Sequence, residues 1–172
     1  MNAFLVVIPI IFIRYGLLNI INKESLKRAG FFAPLIAREK IAYWIYQITT
    51  ALILICLLFL KIRSDSDWFT IGLIIYSSGI ILYVVSMINY AKPKVNGINI
   101  NGLYRISRNP MYITYFIYFL GCVFLTNSLI LLALLVVFQI SAHWIILSEE
   151  RWCIEEFGEE YIKYMIKVRR YI

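Results

Sequence analysis

The sequence predicts an all-α integral membrane protein with about five transmembrane helices, the last two a tight hairpin, plus a C-terminal amphipathic cytoplasmic helix. Three observations predict it. Hydrophobic residues make up 62% of the 172 residues and charged residues 16%, with mean hydropathy +0.78. A soluble domain is about 45–50% apolar and about 25% charged. The apolar residues gather in runs close to the roughly 20 residues needed to cross a hydrocarbon core. The basic residues gather between those runs, with Arg14 the exception.

Five runs read as spans: residues 3–21, 41–60, 68–91, 111–126 and 128–148. The first has no basic leader region and no small-residue cleavage site, and it carries Arg14, so it reads as a retained helix rather than a signal peptide. The fourth is short, and only Asn127 separates it from the fifth, which makes that pair the hairpin. Residues 149–172 do not form a sixth span. Ile154, Phe157, Tyr161, Met165, Val168 and Ile172 recur at helical spacing with Glu and Lys between them. Glu159 and Lys163 make a favourable i,i+4 pair. Gly158 divides the stretch into an extension of the fifth helix and a separate short helix. That helix either lies on the membrane surface or packs as a lid over a cytoplasmic site.

Orientation follows from Lys and Arg. Residues 22–40 carry five, 92–108 carry four and the tail carries five, fourteen on one side, against Lys61 and Arg63 on the other. The positive-inside rule then gives an N-out, C-in topology with the chemically rich segments facing the cytoplasm. This use of the basic residues also accounts for the net charge of +7, which in a soluble chain would suggest nucleic acid. No nucleic-acid partner is expected.

Cys56 and Cys122 fall inside apolar runs and Cys153 near the end of the last, so no disulfide framework is expected. With His143 as the single histidine, no metal site is expected either. The glycines form neither a P-loop nor a GxGxxG turn. A nucleotide-like cofactor would need some other holder.

Two polar features stand out. Residues 96–112 read NGINI NGLYRISRNPMY, with two Asn-Gly pairs that favour positive φ and can aim backbone groups at a ligand. Arg105, Arg108, Asn109, Tyr104 and Tyr112 add donors and aromatic faces, and Pro110 suits the first turn of the fourth helix. A plain interhelical loop is the competing reading. The second feature is HWIILSEERW, which sets His143 about a turn and a half inside Glu149 and Glu150. A carboxylate at a helix C-terminus opposes the helix dipole, and ionisable groups at membrane depth are functional candidates. The competing readings are a packing role for His143 and a boundary marker for the Glu pair.

The block GLYRISRNPMY, followed some 40 residues later by SEERWCIEEFGEEYIKY, resembles the isoprenylcysteine carboxyl methyltransferase and phospholipid methyltransferase superfamily. The resemblance covers about the last 85 residues. It implies an integral membrane enzyme using S-adenosylmethionine, in a bacterial inner or archaeal cell membrane. It implies a cofactor pocket built from Ile98, Asn99, Gly102, Tyr104, Asn109, Pro110, Met111, Tyr112 and Glu149, covered by the tail with Phe157 and Tyr161. Residues 92–172 would then be the catalytic core of a single membrane domain, 1–172, and 1–91 a three-helix part. The partners implied are the lipid bilayer and a lipophilic or small methyl acceptor. The chain departs from the family at two places. Asn109 stands where His is usual, and no Arg stands near Ile145, where the prenylcysteine enzymes hold the substrate carboxylate. Methyl transfer is therefore implied, prenylcysteine specificity is not.

Such a transfer needs mainly alignment, and an amine or thiol acceptor would need a base, for which His143 or Glu150 is nearest. Arg14 either snorkels to the cytoplasmic interface, the preferred reading, or lines the acceptor's path. Alternatives are phospholipid N-methylation, thiol S-methylation, or a non-enzymatic scaffold that keeps the fold.

Overall fold

Each apolar run folds as a helix in the computed structural model, which describes residues 1–93 and 97–172. Helix α1 spans Ala3–Ile21 and changes its winding along the way. It is 3-10 over Ala3–Val7, α over Ile8–Ile11, π over Phe12–Leu17 and α again over Leu18–Ile21. Asn2 caps its start, its side chain accepting from the amide of Phe4 at 2.7 Å. The short helix α2, Lys23–Ala29, is capped by Asn22, has Glu24 in its first turn and Lys27 and Arg28 in its last, as the helix dipole favours. Helices α3, Arg38–Phe59, and α4, Phe69–Ala91, follow the second and third runs.

Pro110 opens helix α5, Pro110–Thr126, at a position where a missing amide costs nothing. Asn127, left-handed at φ 49°, ends it, and the Ser128 side chain accepts from Leu131 to start α6, Leu129–Phe157. Gly158, at φ 56°, separates α6 from α7, Glu159–Lys167. The expected extension of the fifth helix is real: α6 has 29 residues, about 43 Å of helix. Helices α1, α3, α4 and α6 are long and apolar enough to cross a membrane, whereas α5 is apolar but has only 17 residues.

The connection between α5 and α6 is as tight as the sequence suggests, but their main partners lie elsewhere. α5 packs along α4 and α6 along α3. Glycines explain the first pairing. A Cβ on Gly79 would lie 2.7 Å from the Tyr118 Cα, and one on Gly72 would lie 2.8 Å from the Leu125 nitrogen. In lipid, helices associate through such close backbone approach rather than through hydrophobic exclusion. Tyr83, Met87, Tyr118, Cys122, Leu131 and Leu135 fill the interior, while Ile20, Trp44, Phe59, Ile74 and Ile130 stay exposed as a lipid-facing surface requires.

The two ends of the bundle differ. At one, backbone bonds join the N-terminus to the turns: Ala3 donates to Leu60, Ile62 to Met1, and Arg63 to Leu125. At the other, the segments around residues 22–37 and 97–109 meet the tail. Asn22 donates to the Ala91 carbonyl at 3.4 Å, and the Arg108 amide to the Arg169 carbonyl at 2.9 Å. The basic segments expected to share one face therefore share one end. Lys94 of the basic segment 92–108 and Asn96 of the first Asn-Gly pair lie outside the described residues.

Candidate functional site

A cavity of about 550 Å³ opens within the basic end of the bundle. Ligand sites commonly measure about 300–1,000 Å³. Its walls come from nearly every element: Arg14 of α1, Tyr46 of α3, Tyr90 of α4, Tyr112 and Tyr115 of α5, and Glu149 and Cys153 of α6. The segment after α2 contributes Phe31 and Phe32, the loop before α5 contributes Ile98, Asn99 and Tyr104, and α7 contributes Tyr161 and Tyr164. The lining is strongly aromatic. Burial pushes the phenols of Tyr104, Tyr161 and Tyr164 up, so these three present neutral rings and hydroxyls. The Tyr164 hydroxyl donates to the Tyr104 carbonyl at 2.6 Å, which fixes α7 over the loop. Helix α7 thereby forms part of the cavity wall.

The two adjacent glutamates have different surroundings. Glu149 lines the cavity, and one of its oxygens accepts from the Tyr112 hydroxyl at 2.9 Å. Glu150 touches the cavity but is only 4% exposed, and both its oxygens are occupied. Oε1 receives Arg108 Nε and Nη2, each at 2.9 Å, and Asn109 Nδ2 at 3.3 Å. Oε2 receives Arg170 Nε at 2.9 Å and Nη2 at 2.8 Å. The Arg170 guanidinium, bonded to this carboxylate, is held more firmly protonated than usual. Arg108 also donates through Nη1 to the carbonyls of Met165 and Val168, closing the C-terminus of α7. Glu150 thus ties the tail to the start of α5, with cations facing both of its oxygens.

His143 meets the tail. Its Nδ1 lies 2.6 Å from the Tyr171 hydroxyl, and it is not among the residues lining the cavity. Seven of the nine pocket residues that the resemblance implies do line it, Ile98, Asn99, Tyr104, Asn109, Met111, Tyr112 and Glu149, as do Phe157 and Tyr161 of the tail. Gly102 and Pro110 do not. Gly102, at φ 49°, packs against Asn89, whose Oδ1 accepts from the Leu103 amide at 2.9 Å, and a Cβ there would strike that side chain. Pro110 begins α5 and is buried. Asn109 reaches the cavity wall, but its Nδ2 is aimed at Glu150 and at the Arg170 carbonyl, 3.3 Å away.

Arg14 faces the cavity. Its Nη1 donates to the Tyr115 hydroxyl and its Nη2 to the Ala29 carbonyl at 2.7 Å, and it lines the cavity. The Tyr115 hydroxyl lies 2.8 Å from that of Tyr83. The π-wound stretch holding Arg14 is the kind of irregularity that often marks a functional site in a helix. Phe31, Phe32, Tyr46, Tyr90 and Tyr115 also line the cavity, and no motif in the sequence marks them. Their only sequence signal is aromatic composition, which the chain carries everywhere.

The Asn99 Oδ1 is buried and has no hydrogen-bond partner among the described residues. Polar atoms in that state are rare in folded proteins and invite a ligand. Residues 68–160, just over half of the chain, match the family model described as phospholipid methyltransferase. No curated protein and no solved structure matches the chain.

Proposed function

We infer the activity from one premise: the chain belongs to the phospholipid methyltransferase family. It is accordingly a membrane methyltransferase. Our reading is that the methyl donor is S-adenosylmethionine, held in the aromatic cavity, and that the acceptor is a lipophilic or small molecule. When bound, the donor supplies a methyl group on a sulfonium centre, open to displacement by a nucleophile.

The observation that carries this reading is the Glu149 carboxylate, anchored by Tyr112 on the wall of an aromatic cavity. A carboxylate suits the donor's ammonium or ribose hydroxyls, and aromatic faces attract a cation. The orphan Asn99 Oδ1 and the backbone around Ile98 can take polar groups of the nucleoside, while Tyr104 and Met111 offer a flat apolar slot. Tyr112 positions Glu149. Phe31, Phe32 and α7 exclude water. Asn109 positions Glu150 and the tail beside the slot rather than reaching for the donor with its amide.

With His143 and Glu150 both engaged elsewhere, the chain's contribution to the chemical step is alignment, which can supply about 7–11 kcal/mol of a barrier. This favours an acceptor whose nucleophilic atom needs no protein base. The positive-inside count supports a cavity that faces the cytoplasm, where the donor would enter.

Calorimetric titration of the detergent-solubilised protein with S-adenosylhomocysteine tests the donor site. Saturable binding is expected. Glu149→Ala should weaken it by roughly 10- to 150-fold, the loss of a hydrogen bond to a charged group at about 1.5–3 kcal/mol. Unchanged affinity in that variant would remove Glu149 from the site.

A further inference from the structure

We propose that Arg14 is the residue that selects the acceptor, holding an oxyanion of an amphiphilic substrate at the membrane-side floor of the cavity. This rests on the reading of the cavity as the methyl-transfer site. Arg14 lies seven residues inside the end of α1 at Ile21, about 10 Å below it. It is surrounded by Tyr46, Tyr83 and Tyr115. Its two hydrogen-bond partners, the Tyr115 hydroxyl and the Ala29 carbonyl, are neutral. Among the described residues its guanidinium forms no ion pair, although Glu149 lines the same cavity.

A cation at membrane depth is costly and is found paired or facing a water-filled or ligand-filled space. Among the described residues Arg14 makes no direct ion pair, and it faces the cavity together with Glu149, whose carboxylate it influences electrostatically. A guanidinium has five N–H donors in a planar fork that matches a carboxylate or a phosphate, and here two are spent. The fork is also anchored: its two neutral partners hold the plane in place without neutralising the charge. The other three arginines near the site are already engaged. Arg108 and Arg170 bind Glu150, and Arg28 stacks on the Tyr90 ring at 5.4 Å.

Arg14 and Glu149 enter the cavity from different helices: Arg14 comes from α1, whereas Glu149 comes from α6 and is bonded to Tyr112. An amphiphile entering with its chain in the bilayer would bring its head group to Arg14 first. Arg14 lies outside the segment that matches the family, so it would set the preference of this chain rather than the shared chemistry.

The test is titration of the purified protein, with and without saturating S-adenosylhomocysteine, with oleate, oleyl phosphate and oleyl alcohol. The three share a chain and differ in head group. The native protein should bind at least one of the two anionic probes about tenfold or more tighter than the alcohol, as a charge-assisted fork predicts. Preference for oleate assigns a carboxylate head, and preference for oleyl phosphate a phosphate head. Arg14→Gln should erase the preference while leaving the alcohol and S-adenosylhomocysteine affinities within about twofold. Arg14→Lys, which keeps the charge without the fork, should retain part of it, and it serves as the readout if the glutamine variant does not fold.

Equal affinity of the native protein for all three probes overturns the proposal. So does a variant that loses S-adenosylhomocysteine binding but keeps the anion preference, since Arg14 would then serve the donor. Failure of the native protein to bind S-adenosylhomocysteine at all would instead overturn the donor-site reading, and the two failures are read from separate titrations.

Discussion

Glu150 and Glu149 are neighbours in sequence with opposite tasks. Successive helical residues point about 100° apart, so one carboxylate turns to the cavity and the other to Arg108 and Arg170. The sequence marks the pair as special because carboxylates at a helix end work against its dipole, but nothing in the local pattern says which one is paired. The partners of Glu150 lie 42 and 20 residues away, and that distance is why its role was not legible. The same holds for Asn109, whose polarity was evident and whose direction was not. Replacing Glu150 with Gln should leave two buried or half-buried guanidinium groups without their counter-charge. Breaking a buried pair costs about 3–5 kcal/mol, so the tail should detach from α5. Hydrogen exchange over residues 159–172 should accelerate strongly in Glu150→Gln, and unchanged protection would show that the clamp does not hold the tail.

Helices themselves are the most legible level of this chain. Hydropathy alone finds each of the five apolar helices, Pro110 and Gly158 mark the boundaries they should, and Asn127 in the left-handed conformation explains how two helices can turn back within two residues. Which helices pair is a different matter. The partnership of α4 with α5 rests on Gly72, Gly79 and Gly121 meeting backbone across the seam, an arrangement that spacing within one helix does not reveal. A Cβ on Gly121 would lie closer to the Tyr76 backbone than packed atoms allow. Gly121→Val should therefore force α5 away from α4 at a cost of about 1–3 kcal/mol. A lowered thermal midpoint in detergent is the expected result. An unchanged midpoint would mean that the seam yields without cost. The same seam positions Tyr112 and Tyr115, so the variant should also weaken S-adenosylhomocysteine binding.

Taken as a molecule, the chain is a bundle with a plain end and an elaborated one. The plain end joins Met1, Leu60–Arg63 and Leu125 by a few backbone bonds. The elaborated end carries the basic segments, α2, the loop before α5 and the tail, and these enclose the cavity. Arg151 helps to shut it. Its guanidinium donates to both Glu39 oxygens, at 2.6 and 2.8 Å, and to the Pro34 carbonyl at 2.8 Å, pinning the Phe31–Phe32 segment against α6. The division expected at residue 91 does not separate the cavity's walls, because Arg14, Phe31, Tyr46 and Tyr90 all come from the first part. The resemblance, confined to the second half, could not show that the first half completes the enclosure.

The central claim is that this bundle transfers a methyl group to a membrane amphiphile from its cytoplasmic side. Membrane vesicles prepared in both orientations from cells carrying the chain test it most directly, using S-adenosylmethionine labelled in its methyl group and native or Glu149→Ala protein. The account predicts that label enters the organic-soluble fraction only in inverted vesicles, whose cytoplasmic face is outward, and only with the native protein. Absence of labelled product in both orientations would contradict methyl transfer to a membrane acceptor, and labelling confined to right-side-out vesicles would contradict the orientation of the site.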